Sequence, residues 1–291
     1  LRAAIAKHKQ VDVANLALGN GSDELIDLLI RCFCEPRRDS VLVCEPTFGM
    51  YRIYAQFNDI AVLNAPLSAT SFLVDEQLIL KTAEPNTKII FICSPNNPTG
   101  TSIGREQLKN IAGNFSGLVI VDEAYIDFSE KPSALHLWDE FPNLVVLQTF
   151  SKAWGLASLR IGAAYGDPGV ISILNKVRPP FNISDTSQQV LLQALNKADK
   201  LPDLLHTILL QKQWLRQELG NLPFIKKIID SDANFFLMEV DDSGKLHRYL
   251  LDRCVLISNR SSLQNCHNHI RISVGTEAEN QKLMSLLKHY A

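Results

Sequence analysis

The first part of the chain alternates between two textures. Apolar runs at 40–44 (SVLVC), 60–65 (IAVLNA), 88–93 (KIIFIC), 117–122 (GLVIVD), 144–150 (LVVLQTF) and 161–166 (IGAAYG) hold few polar residues. A strand with one wet face alternates apolar and polar, whereas a run apolar throughout suits a strand covered on both faces. Between several of these runs lie segments of helical period, at 22–33 (SDELIDLLIRCF), 48–57 (FGMYRIYAQF) and 105–115 (REQLKNIAGNF). Strand and helix in alternation predict an α/β fold with a doubly wound, mostly parallel sheet.

The texture changes after RPPFN (178–182). Two long helical patterns follow, 185–197 and 202–220. Then NFFLMEV (234–240), CVLIS (254–258) and HIRISV (269–274) read as strands, with helices over 244–252 and 277–290. Helices and strands without the βαβ rhythm predict a smaller α+β unit. Residues 1–13 look helical and are expected to pack with it. The expected domains are therefore 14–200, large and α/β, and 201–291 together with 1–13, small and α+β.

Composition narrows the classes. The 291 residues are 46% hydrophobic and 21% charged, with a net charge of -2, so no cationic surplus points to nucleic acid. No apolar stretch reaches the roughly 18 residues that suggest a membrane span. The opening LRAAIAKHKQ is no signal peptide, and its lack of methionine suggests that native residues precede it. Six cysteines at irregular spacing, without C-x-x-C, are expected to be reduced thiols in a cytosol.

Five segments carry chemistry. In GNGSDELIDLLI (19–30), Gly19, Gly21 and Ser22 turn into a helix, followed by Asp23. Amides at a helix N-terminus bind anions and a hydroxyl adds a donor, although an ordinary serine cap with acidic neighbours reads the same way. In CEPTFGMY (44–51) a loop after a strand delivers Phe48 to the edge where α/β sheets bind ligands. Phe48 there either stacks on a flat ring or fills the helix–sheet core. In CSPNNPTGT (93–101) a rigid Pro/Asn/Gly loop presents the amide of Asn97, with loop building as the plainer account. In VIVDEAYIDF (119–128) a buried strand ends in Asp122, with Tyr125 three residues on. That carboxylate needs a partner, which a ligand, a helix cap or a core arginine would each supply. In TFSKAWGLASLRIG (149–162), Thr149 and Ser151 share a face if extended, Lys152 follows, and Arg160 comes eight residues later. Two cations in so apolar a stretch are costly unless used or paired.

The five segments fit one ligand. A planar phosphorylated pyridine aldehyde requires an anchoring amine, a carboxylate at its ring nitrogen, donors to its ring oxygen, an aromatic on its face and an anion site. Lys152, Asp122, Asn97 with Tyr125, Phe48, and the group Gly21, Ser22, Thr149, Ser151 and Arg160 supply that set.

The order of these motifs carries a resemblance. N-P-T-G at 97–100, D-x-x-Y at 122–125, S-K at 151–152 and the arginine eight residues after the lysine resemble the fold-type-I pyridoxal-phosphate aminotransferases. GNGSDE, EPTFGMY, SPNNPTGT, VDEAYIDF, SKAWGLASLRIG and the late IRISVGT together resemble the histidinol-phosphate aminotransferases, from near residue 12 to the end. The resemblance implies an enzyme of that fold, dependent on pyridoxal 5'-phosphate, acting as a cytoplasmic homodimer on small molecules. Its reaction would be reversible transamination between L-histidinol phosphate and 2-oxoglutarate in histidine biosynthesis. It also implies roles. Lys152 would form the Schiff base and shuttle the proton. Asp122 would pair with the ring nitrogen, while Asn97 and Tyr125 bond the ring oxygen. Phe48, where tyrosine is common, would stack on the ring. Gly21, Ser22, Asp23, Thr149, Ser151 and Arg160 would hold the phosphate, and Arg271 the anionic end of the substrate.

Two departures from the family stand out. Members usually carry a further N-terminal segment, including a tyrosine that reaches the partner subunit's cofactor phosphate. In ISNRSS (257–262), Ser258 stands where many members have an arginine facing the substrate phosphate, and Arg260 is the expected substitute. Threonine-phosphate decarboxylation and aromatic amino-acid transamination remain alternatives on the same fold. A cofactor-fold module of a transcription regulator would need a basic DNA-binding segment, and a dinucleotide dehydrogenase would need G-x-G-x-x-G after a strand; neither is present. Cys254, Cys266, His267 and His269 are metal-ligand types, but their spacing matches no usual zinc pattern, and no metal is expected.

Overall fold

The apolar runs assemble into one sheet. The computed structural model describes residues 1–290; Ala291, which ends the second expected domain, lies outside the described residues. Among them, seven strands form the larger sheet: β1 (Leu16–Asn20), β2 (Ser40–Val43), β3 (Ala61–Asn64), β4 (Thr87–Cys93), β5 (Leu118–Asp122), β6 (Leu144–Thr149) and β7 (Ile161–Gly166). Their order is β1-β7-β6-β5-β4-β2-β3. From β3 to β6 every neighbouring pair is parallel, and β7 runs antiparallel to both β6 and β1. The accompanying helices are α1 (Arg2–Lys9), α2 (Gly21–Phe33), α3 (Met50–Phe57), α4 (Glu76–Thr82), α5 (Arg105–Asn114), α6 (Pro168–Val177) and α7 (Asp185–Leu195).

The unbroken hydrophobicity of the strands follows from this layering. Ile90, Ile92, Val119, Val121 and Val146 point into one apolar cluster. Ile89, Phe91, Ile120, Val145 and Leu147 point into another, beneath Leu25 and Leu29 of α2 and Tyr51 of α3. Each such side chain, fully buried, contributes about 1.5–3 kcal/mol. Parallel pairing brings the carboxyl ends of β4, β5 and β6 to a common edge. The reversed β7 begins at that same edge, so residues 149 to 161 never leave it.

A second sheet follows, antiparallel and in the order β10-β11-β9-β8. Its strands are β8 (Ile225–Ile228), β9 (Phe235–Val240), β10 (Ser258–Asn259) and β11 (His269–Ser273). With α8 (Leu201–Gly220), α9 (Ser243–Leu251) and α10 (Glu277–Lys288) it encloses a core of its own around Leu215, Phe236, Met238, Ile270 and Leu283. A small cluster of Tyr125, Phe128, Ala153, Ala233 and Phe235 joins the two sheets.

Two sequence expectations change. CVLIS is not a strand along its length: only Ser258 of it pairs, and Leu256 is 80% exposed. Cys254 instead takes a left-handed conformation, φ 56°, and the amides of Cys254 and Val255 close the end of α9 on Leu251 and Leu250. Helix-end carbonyls need such donors, which outweighs the β-branched character of the run. Residues 1–13, expected beside the small sheet, lie against the large one. Ile5 and Ala6 join the cluster of Leu16 and Leu18, and α1 touches β1 and α7.

Candidate active site

The common edge of β4, β5 and β6 opens into a cavity of about 650 Å³, counting the part open to solvent. Each expected site segment contributes to its wall. Ser22 and Asp23 come from the start of α2, Phe48 from the turn before α3, Asn97 from the loop after β4, and Asp122 and Tyr125 from the end of β5. Thr149, Ser151, Lys152 and Arg160 come from the connection between β6 and β7.

One end of the cavity is rich in donors. Thr149 Oγ1 donates to Ser151 Oγ at 3.0 Å, and the Ser151 amide donates to Thr149 Oγ1 at 3.2 Å. Arg160, in a left-handed conformation with φ 53°, directs Nη2 to Asp23 Oδ2 at 2.9 Å. Gly21 enters this end through its shape. Its amide is taken by the Arg160 carbonyl at 2.8 Å, and its φ is +76°. A Cβ there would lie 2.5 Å from Arg160 Nη2, so only glycine lets the guanidinium reach over the helix start. Gly162, not singled out from the sequence, is needed for the same reason: a Cβ would collide with the amide nitrogen of Ser22.

Asp122 forms the floor and is only 3% exposed. Its Oδ2 accepts from the Tyr51 hydroxyl at 2.7 Å and its Oδ1 from the Ala124 amide at 3.1 Å. Burial pushes the carboxyl above its ordinary range, and the Tyr51 hydrogen bond is the foremost effect holding it down. Tyr51 is not singled out from the sequence, where one general rule alone points to it: a tyrosine among core residues needs a partner for its hydroxyl.

Lys152 faces the cavity with Nζ 5.4 Å from the centre of the Tyr125 ring. The side chain is exposed to the cavity, yet protein surrounds it on most sides. That desolvation, and next the charge of Arg271, lower its pKa. Tyr125 meets Phe235 edge-on at 5.0 Å, and burial lifts its hydroxyl to about 12 against the pull of Arg271.

Arg271, at the middle of β11, lies behind Asn97 of the cavity wall. Its Nη1 donates to Asn97 Oδ1 at 2.7 Å and its guanidinium lies 4.9 Å over the Phe235 ring. This fixes the Asn97 amide with its carbonyl turned outward. Ser258 pairs across from Arg271, and the Arg260 amide donates to the His269 carbonyl, so Ser258, Arg260 and Arg271 share one face of the small sheet. Among the described residues no carboxylate lies within 4.0 Å of either guanidinium. The Nε of each is buried without a partner. Burial, and then the charge of Arg271, lower the pKa of Arg260. Two such cations on one face concentrate positive charge that no carboxylate within 4.0 Å offsets.

Glu123, beside Asp122, turns away from the cavity. It accepts from Ser133 Oγ at 2.5 Å, the Ala134 amide at 2.6 Å and Gln148 Nε2 at 2.9 Å. Among the described residues no three His, Cys, Asp or Glu side chains gather as a metal site.

The donor set fits pyridoxal phosphate. Hydroxyls and a guanidinium gather at one end, an acid lies on the floor, an aromatic stands at the side, and one amine faces the space between them.

Comparison with known proteins gives the same family. The family description "Aminotransferase class I and II" matches residues 1–287. The chain is 46% identical to the histidinol-phosphate aminotransferase of Cytophaga hutchinsonii over 290 residues, covering 100% of this chain and 83% of that protein. The solved histidinol-phosphate aminotransferase of Clostridium acetobutylicum superimposes with a TM-score of 0.91 at 22% identity, covering 99% of this chain and 87% of that one. That of Sinorhizobium meliloti, in complex with pyridoxal-5'-phosphate, gives 0.87 at 22% identity, covering 100% and 81%.

Proposed function

We infer the reaction from one premise: the chain belongs to the class I and II aminotransferase family. It is a pyridoxal-phosphate-dependent aminotransferase. It transfers an amino group reversibly between L-histidinol phosphate and 2-oxoglutarate, giving imidazole acetol phosphate and glutamate, in histidine biosynthesis. Decarboxylation of threonine phosphate and aromatic amino-acid transfer are not favoured, because the relatives similar over the whole chain carry the histidinol-phosphate name. The observation that supports the assignment in geometry is the joint placing of Lys152 and Asp122 in one cavity, with Arg271, one of two arginines without a carboxylate partner, bonded to Asn97 of its wall.

The roles we assign to individual residues are supported by where they stand. When bound, pyridoxal phosphate supplies a conjugated ring that accepts the electron pair left when the substrate carbon loses its proton. Lys152 would anchor the cofactor by its amine; once the substrate amine displaces it from that bond, the freed Nζ would take that proton. Its lowered pKa suits the task, since a neutral amine is the base. Asp122 holds a proton on the ring nitrogen. The amide of Asn97 and the hydroxyl of Tyr125 would bond the ring oxygen, and Phe48 would lie against the ring. Ser22, Thr149, Ser151 and Arg160, with the helix-start amides of Ser22 and Asp23, would hold the phosphate, and Gly21 gives Arg160 its room. Arg271 binds the anion of either substrate, because a planar fork meets a carboxylate or a phosphate with two parallel bonds. Arg260 adds the second charge that a phosphate dianion rewards.

The chain works as a homodimer in the cytoplasm. Phe181, 98% exposed, and Val177, 53% exposed, support a second copy covering that edge. Six unbonded cysteines support a reducing compartment. The test is amine transfer to 2-oxoglutarate from histidinol phosphate, phenylalanine and threonine phosphate in parallel. Glutamate should form fastest with histidinol phosphate. Faster transfer from phenylalanine, or carbon dioxide released from threonine phosphate, overturns the substrate assignment.

A further inference from the structure

We propose that Tyr51 is a positioning residue for this reaction: its hydroxyl fixes the charge and direction of the Asp122 carboxylate, and its ring fixes the tilt of Phe48. The inference rests on the reading of Asp122 as the partner of the cofactor's ring nitrogen.

Tyr51 is fully buried and forms no part of the cavity wall. Its ring lies parallel to that of Phe91, with centres 4.8 Å apart and planes 6° apart. Phe48 meets its edge at 5.5 Å and 81°. Its hydroxyl donates to Asp122 Oδ2 at 2.7 Å, across 71 residues of chain. One side chain thus grips two parts of the cavity from behind, the acid on the floor and the aromatic at the side. Phenylalanine would fill the same gap between Phe48 and Phe91. A hydroxyl buried there is unfavourable without a partner, and the partner it has is the acid.

Among the described residues, Asp122 has no cation within 4.0 Å to hold its charge. The titratable groups around it are Asp23 at the start of α2, Tyr51 on α3, Cys93 at the end of β4, Tyr125 beyond β5 and Lys152 beyond β6. Burial raises the acid, and Asp23 adds to this. Against them Tyr51 acts most strongly, ahead of the Ala124 amide and Lys152. Tyr51 itself stays protonated, because burial and the neighbouring carboxylate push its own pKa well up. Cys93, lifted to about 12 by burial, stays neutral beside it. Tyr51 is therefore a constant donor. A carboxyl that keeps its own proton cannot hold one on the ring nitrogen, so the hydroxyl sets how much of the enzyme is in working form.

The test uses Tyr51→Phe, Asp122→Asn and the double variant in the cofactor-loaded enzyme. It reads the melting temperature, the dissociation constant of pyridoxal phosphate by absorbance titration, and the pH profile of kcat. Tyr51→Phe should melt close to the parent. Its kcat should fall roughly tenfold or more, the order expected for losing a hydrogen bond to a buried charge. The limb on which activity rises with pH should move to higher pH. In the Asp122→Asn background the same change should leave kcat and cofactor affinity unaltered, because the hydroxyl acts through the acid. A Tyr51→Phe enzyme with the parent's kcat, profile and cofactor affinity overturns the proposal. So does an effect of equal size with and without the Asp122 charge. A parent enzyme indifferent to Asp122→Asn overturns the reading of Asp122 itself, whatever Tyr51→Phe does.

Discussion

Asp122 and Glu123 are consecutive, equally buried at 3% exposure, and both lifted by desolvation. They leave the end of β5 on opposite faces of the sheet. Glu123 accepts from three donors, Ser133, Ala134 and Gln148. Asp122 has two donors, and its remaining side borders the cavity. Burial and a raised pKa therefore do not distinguish an acid that faces the cavity with Lys152 from one bonded into the loop after β5. What distinguishes them is the number of donors already spent on each carboxylate and the company they keep: the cavity that Asp122 borders also holds Lys152, Asn97 and Tyr125.

The sharpest test of that contrast is to remove the amine that shares the cavity with Asp122. Lys152→Ala should still bind the cofactor through the other anchors and should lose at least ~10²–10⁴-fold in turnover, the scale of general acid–base catalysis. Borohydride reduction of the parent enzyme should leave the cofactor on the peptide that contains Lys152; recovery on another lysine would break the assignment. Asp122→Asn comes next. It keeps the volume and removes the charge, so amine transfer should drop by about 10²–10³-fold, the size of losing one electrostatic stabiliser, while thermal melting stays near the parent's. Glu123→Gln should do the reverse. Turnover should remain close to the parent's, and urea unfolding should show a loss of about 1–3 kcal/mol from mismatched buried donors. A Glu123→Gln enzyme that is fully stable and inactive would erase the distinction.

The smallest effect is on the pH dependence of stability. Both carboxyls are raised in the folded chain, so the folded state binds these protons more tightly than the unfolded state does. Their contribution is then most favourable below the unfolded carboxylate range, near pH 4. It is lost as pH rises through that range towards the folded values, and is constant above them. Relative to the parent, Asp122→Asn and Glu123→Gln should each flatten part of this slope in urea midpoints measured from acid to neutral pH on cofactor-free protein.

Much of this site could be read from the chain because its parts are short local strings. A lysine after T-F-S, an aspartate at the end of a run such as VIVD, and N-P-T-G after a strand each fix a loop at a strand's carboxyl end. Parallel pairing then delivers those ends to one place. Other features depend on tertiary contacts that no local string encodes. Tyr51 reaches Asp122 through the packing of α3 on the sheet, and in sequence it is merely one more aromatic of an amphipathic helix. Gly162 is required only because the start of α2 passes against β7. CVLIS has the residues of a strand, but the need to close α9 decides its path.

The reversal of β7 also sorts the cavity by chain entropy. Because β7 returns along β6, Thr149 and the Ile161 carbonyl, in contact at 3.4 Å, are only 12 residues apart. Asn97 and Arg271, bonded at 2.7 Å, are separated by 174. Loop-closure cost grows with the logarithm of length, so the longer closure is dearer by about 2 kcal/mol. Thr149, Ser151, Lys152 and Arg160 are assembled within a hairpin that loses little freedom on forming, and Asp23 joins them from 137 residues away. The arginine end comes into being only when the last strands dock, and it stays dependent on a contact made across most of the chain.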